Sequence, residues 1–232
     1  MHTIGIIGAM EEETAFLQEK MTIVQTQKAV GLDFFVGRYS GKNVILVKSG
    51  IGKVNAAICA QVLIDRFGVD CIINIGVAGA IYDQLKVGDI VISTDAVQHD
   101  MDTSVLGDPV GIIPRMEESY FPADPALRAL AADCIKELAF ECQVYEGRIA
   151  SGDQFIAGKE AKEKIWKTVK GYCAEMEGAA IAQSCYLNDV PFLVIRAISD
   201  SAAEGAEMTY EQFSKLAAQR GSALVEKMIE KM

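Results

Sequence analysis

Cys71-Ile72-Ile73-Asn74-Ile75-Gly76-Val77-Ala78-Gly79-Ala80 is the stretch on which the fold turns. Cys71 to Ile75 is a short run of continuous apolar character and reads as a buried strand. Small residues follow it. They let a flat ligand approach the backbone closely, and they suit a tight turn with close helix packing equally well. Working outward, short apolar runs alternate with longer helical patterns. Thr3 to Gly8 reads as a buried strand and Glu11 to Lys20 as a helix. Thr22 to Gln27 and Leu32 to Tyr39 read as hairpin-like segments, Val44 to Lys48 as a strand and Lys53 to Phe67 as a helix. Downstream come a strand at Asp89 to Thr94, a helix at Asp124 to Leu138 and a strand near Tyr145 to Ile149. Helices follow at Glu160 to Lys170 and Glu177 to Leu187, the latter with Asn188 as C-cap. Phe192 to Ile198 is a further buried strand. Thr209-x-x-Gln212 has the capping-box pattern and is expected to open the last helix.

Strands interleaved with helices imply an α/β domain with a largely parallel sheet, made mixed by the early hairpins. No linker of Pro, Gly and Ser divides the chain, so one domain over residues 1–232 is expected. In such sheets ligands sit at the carboxyl ends of the strands. That rule singles out Gly8 to Glu13, Gly76 to Ala80, Ser151 to Ile156 and Ser199 to Asp200.

A net charge of −10 argues against nucleic acid as the main partner, because phosphate binding needs a basic footprint. The lysines of residues 160–170 alternate with glutamates at i,i+4 spacing, as on a solvated helix face. The six cysteines form no CxxC pair and no zinc-like spacing, and most lie in apolar runs. They read as small buried hydrophobes in a reducing compartment. No signal peptide or membrane-spanning run stands out, so a cytoplasmic protein is expected.

Two glycine patterns fail on spacing. Gly5-x-x-Gly8 lacks the middle glycine of a dinucleotide fingerprint, and Glu11, Glu12 and Glu13 would repel a pyrophosphate. Ser49-Gly50-Ile51-Gly52-Lys53 would need a glycine at Val47 and a Ser or Thr at Val54 to be a phosphate loop. Three glutamates at a helix start complement its dipole, and they point in three directions, so one can face the strand ends. Glu175-Met176-Glu177 opens an alanine-rich helix, where a carboxylate can accept two hydrogen bonds from a vicinal diol or simply complement the dipole. Arg196 lies inside an apolar strand and needs a partner. Several carboxylates converging with it on one apolar crevice are unusual in a plain scaffold. His99 reads as structural or as part of a subunit contact.

GIIGAMEEE at Gly5 to Glu13, KSGIGKVNAA at Lys48 to Ala57, SGDQFI at Ser151 to Ile156, EMEGAAIA at Glu175 to Ala182 and RAISD at Arg196 to Asp200 resemble the 5′-methylthioadenosine/S-adenosylhomocysteine nucleosidases of the nucleoside phosphorylase superfamily. The resemblance runs over nearly the whole chain in the same order. It implies a three-layer αβα sandwich around a mixed, partly barrel-like central sheet, a homodimer, a small nucleoside substrate and no cofactor. It implies that Glu13 activates water and that Asp200 hydrogen-bonds adenine and protonates N7. It implies that Glu177 and the Met176 backbone hold the ribose hydroxyls, with Arg196 and Ser199 in the same region. By the same resemblance Phe155 stacks on the base, the Ile156 backbone reads its edge, and Met10, Ile51 and Gly79 line the pocket. Leu106 becomes a lid residue donated by the neighbouring subunit. Two departures stand out: Val77 occupies a place where many members have Ser, and Tyr210 one where Phe is common. Hydrolysis is favoured over phosphorolysis because the first loop is acidic and no Arg lies near Gly76 to Ala80. A phosphate-dependent phosphorylase and a catalytically silent nucleoside-binding protein remain the alternatives.

Overall fold

The computed structural model describes residues 3–138, 140–200 and 206–232, and the side chains of all of these except 200 and 206–217. Among the described residues ten strands form one sheet: β1 (Thr3–Gly8), β2 (Thr22–Ala29), β3 (Leu32–Tyr39), β4 (Lys42–Lys48), β5 (Cys71–Ala80), β6 (Ile90–Gln98), β7 (Tyr120–Pro122), β8 (Val144–Ser151), β9 (Cys173–Glu175) and β10 (Phe192–Asp200). The helices are α1 (Glu11–Lys20), α2 (Lys53–Phe67), α3 (Pro125–Leu138), α4 (Lys159–Val169), α5 (Gly178–Leu187) and α6 (Ala206–Lys231).

Strand order runs β10-β6-β8-β9-β5-β1-β4-β3-β2, and β10 also pairs with β5. That extra pairing closes β5, β10, β6, β8 and β9 into a five-stranded barrel, from which β1, β4, β3 and β2 extend as an open sheet. Closure removes two sheet edges. The expected sandwich with a partly barrel-like sheet is therefore what the chain forms. The expected predominance of parallel pairing is not: among the described residues, parallel and antiparallel pairings are equally numerous. The barrel adds antiparallel contacts of its own at β10–β6 and β5–β9, and β7 adds another on β6, which interleaved strands and helices do not reveal.

Helix α6 packs on β10, β5, α1 and α3, while α2 packs against α5. The apolar residues of β1, β4, β5 and β10 are buried, apart from the half-buried Val77, as strands covered on both faces must be. Five cysteines are buried and Cys142 is partly so; all six are free. Burial pushes the thiols of Cys59 and Cys71 up to about 12, so they behave as hydrophobes. Among the described residues no helix is long and apolar enough to cross a membrane.

Two boundaries depart from expectation in ways that matter. β5 continues through Gly76-Val77-Ala78-Gly79 to Ala80 instead of breaking at Ile75, because β10 pairs along its length and β9 pairs at its end. Tertiary pairing overrides the weak strand preference of glycine and alanine. Thr209 lies inside α6, which starts at Ala206. The good helix formers Ala206, Glu207 and Met208 carry the helix further back than its capping-box pattern suggests.

Candidate active site

All four strand ends singled out by sequence meet at one cavity. Ala9, Met10 and Glu13 line it from the end of β1, Val77, Ala78 and Gly79 from β5, Phe155 from the loop after β8, and Ser199 from β10. Ile51 and the segment Ala174 to Glu177 complete the wall. The β10–β5 register shifts between Ile198 and Asp200. This irregularity falls at Ser199, and such bulges re-aim side chains beside active sites.

Glu13 separates from its neighbours by helical geometry. Glu11 and Glu12 are exposed, and Glu11 pairs with Lys48 at 2.6 Å. Glu13 sits at the third helical position of α1, where a glutamate reaches back to the N-cap amide in a capping box. It is only 4% exposed. Its Oε2 accepts from Ala9 N at 2.6 Å and Met10 N at 3.0 Å, and its Oε1 from Val77 N at 3.0 Å. A side chain at Gly76 would place its Cβ 2.7 Å from Glu13 Oε1, so this glycine is the floor on which the carboxylate rests. Burial pushes the Glu13 carboxyl above the ordinary range, opposed by the positive field of Arg196 and the three amides.

Glu177 is the N-cap of α5 yet makes no side-chain cap bond to it. Its Oε1 instead accepts from Gly52 N at 2.8 Å, at the start of α2. Burial, then the neighbouring Glu175, raise its carboxyl to about 7.

Arg196 does not reach the cavity wall. It is 1% exposed, beneath the site, and its partner is Glu175. Nε donates to Glu175 Oε2 at 3.1 Å, and Nη2 donates both to that oxygen and to Asn74 Oδ1. Glu175 also accepts from Ser151 Oγ, from Gly178 N at 2.8 Å and from Glu177 N at 3.2 Å. Asn74 Nδ2 donates to Ile7 O at 2.9 Å, tying β5 to β1. Sequence reasoning missed Glu175, Ser151 and Asn74 as the frame of the site. The signal for Asn74 was an amide side chain amid an apolar strand, since buried polar groups are hydrogen-bonded.

Phe155 and Ile51 line the cavity while remaining 64% and 54% exposed. Ile156 lines a neighbouring cavity with His99 and Lys164. Leu106 lies on a short 3-10 turn, Ser104–Leu106, and is exposed. His99 is buried, with its ring against Gly152, and burial lowers its pKa. The side chains of Asp200 and Tyr210 lie outside the described residues.

The arrangement can bind a neutral or cationic group between carboxylates, and it disfavours an anion. The amides of residues 9, 10 and 77, the donors that a phosphate would need here, are already taken by Glu13. The amides at the start of α2 are taken by Glu177 and Asp153.

Comparison with known proteins agrees with this chemistry. The family model described as the phosphorylase superfamily matches residues 3–230. The 5′-methylthioadenosine/S-adenosylhomocysteine nucleosidase of Bacillus licheniformis is 42% identical over 230 residues, 99% of each chain. That of Marinomonas sp. is 40% identical over 231 residues, again 99% of each. The crystal structure of the Neisseria meningitidis nucleosidase in complex with methylthio-immucillin-A superposes with a TM-score of 0.95, at 37% identity and full coverage of both chains. A futalosine hydrolase of Helicobacter pylori superposes at 0.94 with 35% identity, over 100% of this chain and 98% of that one. An acidic cavity at the strand ends of a barrel-closed sheet, matched over its full length by such relatives, places the assignment: this chain belongs to the 5′-methylthioadenosine/S-adenosylhomocysteine nucleosidases of the phosphorylase superfamily.

Proposed function

We propose that this chain, acting as one domain over residues 1–232, hydrolyses the N-glycosidic bond of 5′-methylthioadenosine and S-adenosylhomocysteine, releasing adenine and the thioribose product. The observation that carries this reading is the hold on Glu13. A carboxylate offers about four acceptor sites. Three backbone N–H groups use three of them, leaving one for a water molecule. Burial raises the proton affinity of Glu13, which helps it take a proton from water.

Water attacks C1′ as the C1′–N9 bond breaks, and its proton passes to Glu13. Asp200 delivers a proton to N7, so adenine leaves neutral. The sugar passes through a cationic, oxocarbenium-like state, and the negative charge of the site stabilises it. Glu177 binds the ribose hydroxyls with the acceptor sites that Gly52 leaves open, helped by the Met176 backbone. Phe155 stacks on adenine, the Ile156 backbone reads its edge, and Met10, Ile51, Gly79, Ser199 and Tyr210 shape the pocket. Arg196 acts from below, through Glu175. The enzyme works in the cytoplasm as a homodimer. The exposed apolar pair Val105 and Leu106 supports a role for Leu106 as a lid over the partner's site.

The likeness to a futalosine hydrolase favours a second substrate with a larger 5′ group, 6-amino-6-deoxyfutalosine, and 5′-deoxyadenosine, whose C5′ is a bare methyl, is a smaller substrate for the same site. Incubation with methylthioadenosine in phosphate-free buffer tests the main reading. Adenine release there is the expected result. Release only on adding phosphate means phosphorolysis, and binding without release means a silent binding protein.

A further inference from the structure

The loop after β8 carries Phe155, and the start of α2 carries the amide that binds Glu177. One ring of hydrogen bonds joins these two parts of the cavity. The amides of Gly52, the N-cap of α2, and of Lys53, its first residue, go to carboxylates from distant segments: Gly52 N to Glu177 Oε1 and Lys53 N to Asp153 Oδ1, both at 2.8 Å. Gly52 cannot cap the helix itself, having no side chain, and its φ of 100° favours glycine. Asp153 supplies the cap from outside. Asp153 N in turn donates to Asp100 Oδ2 at 2.9 Å, and Lys53 Nζ donates to Asp100 Oδ1 at 2.6 Å. The ring thus starts and ends on Lys53. Lys53 Nζ also donates to Gln98 Oε1 at 3.0 Å, and Gln98 Nε2 to Gln183 Oε1 at 2.6 Å, on the helix that Glu177 opens.

We propose that Asp153 is a positioning residue. Held by Asp100 and Lys53, it fixes the start of α2 so that the Gly52 N–H stays on Glu177, and the same loop presents Phe155 to the base. The bland alternative is a solvated ion cluster, since exposed pairs contribute little to stability. Two features weigh against it. The Lys53 and Asp100 side chains are largely shielded, at 17% and 16% exposure. Each bond also joins a different segment: α2, the end of β6 and the loop after β8. Stability and ligand binding therefore separate. A cluster at the rim leaves folding nearly unchanged when broken, whereas a misplaced amide and aromatic ring weaken binding directly.

This inference rests on the reading of Glu177 as the ribose-binding carboxylate. The test is calorimetric titration with methylthio-immucillin-A, alongside thermal unfolding, of the parent, Asp153→Ala, Asp153→Asn, Glu177→Ala and the Asp153→Ala/Glu177→Ala double variant. Asp153→Ala is expected to weaken binding about tenfold, the scale of one hydrogen bond to a charged group, with Tm nearly unchanged. Asp153→Asn keeps an acceptor for Lys53 N and is expected to stay within about twofold of the parent. In the Glu177→Ala background, where Gly52 N has lost its acceptor, the loss from Asp153→Ala should shrink to about threefold or less, as coupled neighbours require. Additive losses, or an Asp153→Asn variant as weak as Asp153→Ala, overturn the proposal. A Glu177→Ala variant that binds as tightly as the parent overturns the reading of Glu177 instead. Should Asp153→Ala fail to fold, Asp100→Ala takes its place in the cycle with the same expectations.

Discussion

Glu175 and Glu177 stand two residues apart at the junction of β9 and α5, equally buried at 7% exposure, and their surroundings are opposite. Glu175 accepts from Arg196, Ser151 and the amides of Glu177 and Gly178. Together with Ser151, whose Oγ accepts from Ala179 N at 2.7 Å, it caps α5, the task that the N-cap residue Glu177 would ordinarily perform. Relieved of that task, Glu177 faces the cavity with a single amide partner among the described residues, and its carboxyl rises to about 7. Burial alone therefore does not make a reactive carboxylate. What decides is whether the fold saturates its acceptor sites. Glu13 falls between the two, with three amides and room for one more donor.

The largest effect should come from the intermediate case. Glu13→Gln removes the base while filling the same space, and kcat should fall by about 10²–10⁴-fold. Steady-state assay on methylthioadenosine checks this, and a variant with full activity removes Glu13 from the mechanism. Next in size is the saturated side. Arg196→Met leaves Glu175 a buried, unpaired charge and should destabilise the fold by about 3–5 kcal/mol, read from urea unfolding. A loss below about 1 kcal/mol would mean that the amides and Ser151 suffice for Glu175.

The smallest effect concerns Glu177, and its sign runs opposite to that of an ordinary surface carboxylate. Its folded pKa of about 7 lies above the ordinary 4.5, so the folded state binds the proton more tightly. The stability this contributes is complete below the ordinary value and is lost as pH rises through about 7. Glu177→Gln, which stays neutral, should therefore gain Tm over the parent at pH 8 relative to pH 5, by about 2–4 °C for each kcal/mol relieved. An equal difference at both pH values would mean that Glu177 is as well solvated as a surface group.

Much of this site was legible as types and places. The strand-end rule brought four segments to one cavity, and the refusal of both phosphate motifs holds because carboxylates occupy the amides at issue. Arg196 announced that it needed a partner, but its own strand could not say which. Glu175 lies 21 residues away in sequence, on a three-residue strand too short for any periodicity to mark. The small residues of β5 fit a ligand-facing loop and a tight turn equally well, because local preference was all that spoke for them. The pairing with β10 that makes them a strand forms only when the barrel closes.

The sequence by itself determined the alternation of strands and helices, the apolar runs that must be buried, and a supply of carboxylates at strand ends. These follow from periodicity and from the cost of burying polar groups, which act over a few residues. Only the tertiary structure decided which carboxylate is saturated and which is left available. That depends on Arg196, Gly52, Val77 and Ser151, which the closed barrel and the open sheet beside it together bring from distant parts of the chain to within hydrogen-bonding distance of Glu175, Glu177 and Glu13.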